Sequence, residues 1–198
     1  MKRKKLLFAT NNAHKVQEVK AALGDGFDVI TLDEYGIEVE ADETEPTLEG
    51  NALLKARCVA TFAKGVMVFA DDTGLEIEAL GGAPGVHSAR YSGGGAKENI
   101  EKVLCEMKGC DNRGAQFRTV IVLIDEDGEE YLFEGSVKGR ILESQSAGVE
   151  GFGYDPIFAA EGFAESFAEM TLDAKNAISH RGRATAALVN FLKGTSKN

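Results

Sequence analysis

Leu6-Leu7-Phe8-Ala9-Thr10-Asn11-Asn12-Ala13-His14-Lys15-Val16-Gln17-Glu18 is the stretch that decides the fold. Four apolar residues in a row read as a short buried strand, and the polar Thr10-Asn11-Asn12 ends it. Val16, Val19, Ala22 and Leu23 then recur at helical spacing, so a helix runs from about Ala13 and stops near Gly24. Phe27–Leu32 follows as a second strand. Strand, helix and strand in succession form a β-α-β unit, which builds a parallel sheet.

Working outward, 38–49 is acidic and irregular, with Pro46 as a breaker. Asn51–Phe62 is rich in helix formers, and its spacing predicts Leu54, Cys58 and Phe62 on one face. Val66–Ala70 is an apolar strand ending at Asp71-Asp72. Gly81-Gly82-Ala83-Pro84-Gly85 is a turn cluster, and Ala96–Met107 a helix closed by Gly109. Gln116–Ile124 and Glu130–Val137 flank Asp125-Glu126-Asp127-Gly128, the signal of a hairpin. Thr171–Ile178 and Arg183–Leu192 are helical. No internal repeat is present. An early β-α-β and a later hairpin predict an α/β protein with a mixed, partly antiparallel sheet.

The 198 residues predict a single domain, 1–198, able to bury about 70% of its unfolded surface. A hydrophobic fraction of 43% and a charged fraction of 27% exclude global disorder. The net charge of −10, from 22 Lys+Arg against 32 Asp+Glu, argues against a nucleic-acid polymer or an anionic membrane as partner. A small anion held by a few local cations remains compatible. Cys58, Cys105 and Cys110 are odd in number and form no CxxC, so neither a disulfide framework nor a zinc knuckle is expected and a reducing cytoplasm fits. Met1-Lys2-Arg3-Lys4-Lys5 looks like the start of a signal peptide, but the apolar run behind it is shorter than the ~7–15 residues required. No stretch approaches the ~18 apolar residues of a membrane span.

Chemistry concentrates where strands end, since side chains there leave the core. Thr10–Lys15 opens a helix whose first-turn N–H groups suit a phosphate, with Lys15 adding charge; capping by Asn11 or Asn12 explains the same residues. Asp71-Asp72-Thr73-Gly74 puts two carboxylates after an apolar strand, as Mg²⁺ would require, though a capped turn also fits. If the strand persists, the two carboxylates point to opposite faces, one structural and one functional. Gly151-Phe152-Gly153-Tyr154-Asp155-Pro156 could offer aromatic faces to a base, or be a tight turn with both aromatics in the core. Lys175 through Arg183 gathers Lys175, His180 and Arg181, donors for an anion or an acceptor-rich ligand edge; the alternative is a helix C-terminus with its usual cations. No P-loop, dinucleotide-binding glycine motif or nucleophile elbow occurs.

Taken in order, the Thr-x-Asn-x-x-Lys…Glu segment from Thr10 to Glu18, Asn51–Ala56, Ala70-Asp71-Asp72-Thr73-Gly74-Leu75, Gly81–Gly85 with Ser88–Tyr91, Gly151–Phe158 and Ala177–Gly182 resemble the bacterial branch of the inosine triphosphate pyrophosphatase (non-canonical purine NTP pyrophosphatase) family. The resemblance covers about residues 5 to 192. It implies an elongated two-lobed α/β fold with a central mixed sheet flanked by helices and an active-site cleft between the lobes. It implies hydrolysis of ITP, dITP or XTP to the monophosphate and pyrophosphate with Mg²⁺, by a homodimer. Position by position it implies substrate contacts from Thr10, Asn11, Asn12, Ala13, His14 and Lys15, where Asn11 and His14 stand in place of the family's usual glycines. It further implies Lys55 and Thr73, the base-binding loop Phe152, Gly153, Tyr154 and Asp155, and Lys175, His180 and Arg181. Glu43 and Asp72 are the implied Mg²⁺ ligands, with Glu45 and Asp42 as fallbacks, and Asp72 is the implied proton acceptor. The rival readings are a pyrophosphatase of different base choice, as in the Maf-like group, and a nucleotide sensor without turnover.

Overall fold

The computed structural model describes residues 3–148 and 150–194. Met1 and Lys2 of the basic start, and both ends of the 1–198 domain, lie outside the described residues. The strands are β1 (Lys4–Phe8), β2 (Phe27–Ile30), β3 (Met67–Ile77), β4 (Pro84–Gly85), β5 (Gly114–Ile124), β6 (Glu130–Ile141) and β7 (Phe158–Ala160). The α-helices are α1 (Ala13–Leu23), α2 (Leu32–Tyr35), α3 (Leu48–Ala60), α4 (Ala96–Glu106), α5 (Leu172–Ile178) and α6 (His180–Gly194). Among the described residues the strands make one mixed sheet in the order β2-β1-β3-β5-β6-β7, with β4 paired to β3. β1 runs parallel to β2 and β3, whereas β4 and β7 pair antiparallel with β3 and β6. The expected α/β class with a mixed sheet is what the chain adopts.

The chain divides into two compact units. One takes in residues up to Asp72, Thr119–Gly135 and the residues from Arg181 on; the other takes in Thr73–Arg118 and Ser136–His180. In the first unit, Leu6, Phe8, Phe27, Val29, Met67, Phe69, Ile121 and Leu123 meet Val19 and Leu23 of α1 and Ala184, Leu188 and Leu192 of α6. Phe8 and Phe69 stack at 4.3 Å. Leu7, Val68 and Ala70 alternate to the other face and are buried as well, so both faces of these strands are covered, which explains their unbroken apolar runs. The second unit packs Leu75, Ile77, Phe117, Val137 and Phe158 against Ile100, Val103 and Met107 of α4.

Three expectations are corrected. The strand predicted to end at Asp71 continues to Ile77. Gly74 permits it: a Cβ there would sit 2.7 Å from the Gly85 carbonyl oxygen on β4. The strand predicted over Phe27–Leu32 stops at Ile30, because Thr31 and Glu34 form a reciprocal capping box that starts α2. In α3 the buried residues are Leu48, Asn51, Ala52, Ala56 and Val59, while Phe62 is 61% exposed and Leu54 and Cys58 half-buried. Small alanines let the helix approach closely, a signal weaker than the Leu-Cys-Phe stripe that competes with it. Cys58, Cys105 and Cys110 are free thiols. Among the described residues no helix is long and apolar enough to cross a membrane.

Candidate active site

The first unit gathers alternating charges beyond the end of β1 and around Asp71-Asp72 in the middle of β3. Asn12 caps α1: its Oδ1 accepts from the backbone N–H groups of His14 (3.0 Å) and Lys15 (3.2 Å), while Thr10 Oγ1 accepts from the Asn12 N–H. The capping reading of this segment is therefore realised. Asn11, Ala13 and His14 are exposed. Lys15, one turn in, reaches Asp71 Oδ1 at 2.9 Å.

Asp71 and Asp72 follow one another in a continuing strand and take different partners, as alternation requires. Asp71 is 1% exposed; its Oδ2 accepts from Arg181 Nε at 3.1 Å, and Arg181 also donates to Glu18. Burial pushes the Asp71 carboxyl up, but Lys15, Arg181 and Lys55 outweigh it and hold it well below its ordinary value. Asp72 Oδ1 accepts from Lys55 Nζ at 3.1 Å, and the same ammonium donates to Glu43 Oε1 at 2.6 Å. Here burial wins over the Lys55 and Lys15 charges, so the Asp72 carboxyl sits above its ordinary value. Burial pulls the Lys55 ammonium down, yet Asp72, Asp71 and Glu43 together hold it above its usual value. The other oxygen, Asp72 Oδ2, is buried with no hydrogen-bond partner among the described residues.

Glu43 owes its place to α3. Asn51, fully buried, accepts at Oδ1 from the Glu45 N–H at 3.0 Å and so pins the acidic segment against the helix. Thr47 caps that helix through its Oγ1 on the Gly50 N–H. An Asp72 oxygen without a partner among the described residues and a second carboxylate on the same ammonium suit Mg²⁺, which takes one or two carboxylates and completes its shell with phosphates and water. Among the described residues no group of three His, Cys, Asp or Glu converges as a closed metal cage.

The second unit holds the other predicted residues. Thr73 is half-buried in β3. Gly151 turns at φ +77°, and a Cβ there would lie within 2.2 Å of Asp155 Oδ2, so only glycine fits. Gly153 also adopts a positive φ. Asp155 Oδ2 accepts from the Phe152 N–H (2.7 Å) and from Lys175 Nζ (2.6 Å), both side chains almost fully buried. Lys175 lies 5.3 Å from the centre of the half-buried Phe152 ring. Tyr154 belongs to the core, and its hydroxyl donates to the Ser88 carbonyl at 2.8 Å. One aromatic of the loop is thus core and the other partly open. His180 is buried and stacks on Phe117 at 4.5 Å. The Lys175–Arg183 stretch is no single helix end: Lys175 sits inside α5, extended Ser179 breaks the chain, and His180-Arg181 open α6.

The Ham1 family model matches residues 6–191. The chain belongs to the Ham1 family. A Ham1-family relative from Porphyromonas gingivalis, named dITP/XTP pyrophosphatase, is 50% identical over 191 residues, covering 95% of this chain and 97% of its own. One of the same name from Flavobacterium johnsoniae is 45% identical over 193 residues, covering 96% and 99%. The structure of the Staphylococcus aureus Ham1 protein superposes with a TM-score of 0.86 at 38% identity, covering 97% of this chain and 100% of that one. Glu18 and Asn51 stand inside the quoted sequence motifs, but the sequence assigns neither a role beside these charges. Both are polar residues on helices at positions that otherwise read as core or surface; only burial in the folded chain reveals them.

Proposed function

We propose that this protein hydrolyses the non-canonical purine nucleotides ITP, dITP and XTP to the monophosphate and pyrophosphate in the cytoplasm, with Mg²⁺ as cofactor. The hydrolase class, a nucleoside triphosphate pyrophosphatase, rests on the relatives at 45–50% identity. The observation that carries the residue assignment is Asp72, whose buried Oδ2 lacks a hydrogen-bond partner among the described residues and whose Oδ1 shares Lys55 with Glu43. A carboxyl held above its ordinary value by burial is suited to accept a proton.

In this reading Glu43 and Asp72 hold Mg²⁺, which when bound neutralises charge on the phosphate oxygens. Lys15 and Lys55 hold the triphosphate, while Thr10, Asn12 and the α1 first turn orient it. Asp72 aligns a water on the α-phosphorus and takes its proton as pyrophosphate leaves. Phe152 offers a ring to the base, and Asp155 and Lys175 fix that loop. Arg181 is taken by Asp71 and Glu18 and His180 is stacked on Phe117, so backbone N–H donors of the Phe152 loop are left to meet the 6-oxo acceptor; adenine presents a donor there and leaves a protein donor unpaired, at a cost of about 1–3 kcal/mol.

Pyrophosphate release from dITP, ITP and XTP, measured against ATP and GTP with Mg²⁺, tests the reading. Release of orthophosphate, or equal kcat/KM across the five nucleotides, would refute it. Near-wild-type turnover of Asp72→Asn would remove Asp72 from its role. The homodimer belongs to the same proposal, supported by the family resemblance; sizing chromatography reads it directly.

A further inference from the structure

We propose that Glu18 is a positioning residue: acting through Arg181 and Asp71, it sets the Lys15 ammonium for the triphosphate. This rests on the triphosphate reading above. Glu18 lies three residues beyond Lys15 in α1, so the two share a helix face. It is only 3% exposed, and a carboxylate that deep is costly unless paired. Its partner is Arg181 Nη1. Arg181 Nε binds Asp71 Oδ2, and Asp71 Oδ1 binds Lys15 Nζ. Carboxylates and cations thus alternate in the order Glu18, Arg181, Asp71, Lys15, with balanced charge.

The chain of charges is closed at every member but the last. The Glu18, Asp71 and Arg181 side chains are 4%, 0% and 2% exposed, whereas Lys15 keeps 15%. An incoming anion can therefore reach this network through Lys15. The role of Glu18 follows from guanidinium geometry. A free guanidinium takes a carboxylate with two parallel N–H bonds. Nη1, which holds Glu18, lies on the other edge of the guanidinium from Nε, which holds Asp71, so the two carboxylates fix Arg181 from two sides and divide its charge. Without the Glu18 charge, Arg181 loses its second anchor, turns its whole charge on Asp71 and draws that carboxylate away from the ammonium. Helix formation does not need Glu18, because Asn12 already caps α1.

The test compares wild type, Glu18→Gln, Lys15→Met and the double variant. Two readouts are taken: steady-state pyrophosphate release from dITP with Mg²⁺, and calorimetric binding of inorganic tripolyphosphate. Glu18→Gln is expected to raise KM, and weaken tripolyphosphate, about ten-fold, with kcat within about three-fold of wild type. In the Lys15→Met background the same substitution should change neither. An unchanged KM and tripolyphosphate affinity in folded Glu18→Gln overturns the proposal, as does an equal increment with Lys15 absent, which marks a merely structural role. Should Glu18→Gln fail to fold, Glu18→Asp keeps the charge one methylene short and is expected to raise KM about three-fold; no change again overturns the proposal. If wild type releases no pyrophosphate from dITP, the functional reading fails by itself, and tripolyphosphate binding still decides the role of Glu18. Wild type that binds no tripolyphosphate overturns it.

Discussion

Asp71→Asn and Asp72→Asn should separate stability from activity at adjacent positions. Asp71 is 1% exposed and answers two cations, Lys15 at 2.9 Å and Arg181 at 3.1 Å. Removing one partner of a buried ion pair costs about 3–5 kcal/mol, because the remaining charge stays buried without compensation. A chain of 198 residues unfolds with about 0.4 kcal/mol/K of entropy, so Asp71→Asn should lower Tm by about 7–12 °C. The pH dependence has a defined sign. The Asp71 carboxyl is held below its ordinary 3.8, so its contribution is full above that value and is lost as pH falls through the lower folded value. Asp71→Asn should therefore flatten part of the acid limb of a Tm–pH curve. Asp72 is the reverse case: burial raises its carboxyl, so above the ordinary value its charge costs the fold stability, and neutralising it should leave Tm unchanged or higher. Its kcat should fall at least about 100-fold. Scanning calorimetry from pH 3 to 8, paired with pyrophosphate release, reads both variants. An Asp71→Asn protein melting within about 2 °C of wild type, or an Asp72→Asn protein losing as much stability as Asp71→Asn, would refute the division of labour.

The other expectations are simpler. Gly151→Ala forces a Cβ onto Asp155 Oδ2 at a positive φ, so KM for dITP should rise while Lys15-dependent tripolyphosphate binding holds; equal loss of both would contradict the loop assignment. Lys55→Met leaves Glu43 and Asp72 facing each other without a cation, which should raise the acid-limb midpoint of the kcat–pH profile; an unmoved midpoint counts against Lys55 as the shared partner. Chelation with EDTA should abolish pyrophosphate release, and restored Mg²⁺ should return it; turnover that persists removes the metal from the reading. Reductant should leave Tm unchanged, since the cysteines are free thiols.

The parts of the fold set by local signals were legible in the sequence. The α1 start at Ala13, its stop before Gly24, and the hairpin around Asp125–Gly128 each follow from caps and turn residues within a few positions. What escaped depended on partners distant in sequence. Asp71-Asp72-Thr73-Gly74 has the composition of a turn, yet it runs straight because Gly85 approaches Gly74 from β4 and because Lys15, Lys55 and Arg181 neutralise the two carboxylates. No window around residue 71 contains that information. The buried face of α3 was misread for a related reason. Ala52, Ala56 and Val59 lose to Leu54, Cys58 and Phe62 on any hydrophobicity scale, and only close packing makes the small residues the better choice.

The same distinction explains why the site residues could be named before their roles. Lys15, Lys55, Asp72, Lys175 and Arg181 are chemically loud, and each stands at an element boundary or among apolar neighbours. Their pairing is another matter. Lys55 joins Glu43, twelve residues before it, to Asp72, seventeen after it; Arg181 joins Asp71, 110 residues away, to Glu18, 163 away. Those separations decide which carboxylate is compensated on both oxygens and which keeps one oxygen without a partner. Asp71, with cations on both oxygens, is spent on holding α1, β3 and α6 together. Asp72, with a cation on one, retains an acceptor for chemistry. Two identical side chains in succession thus acquire opposite proton affinities, one lowered and one raised, from the helices that reach them.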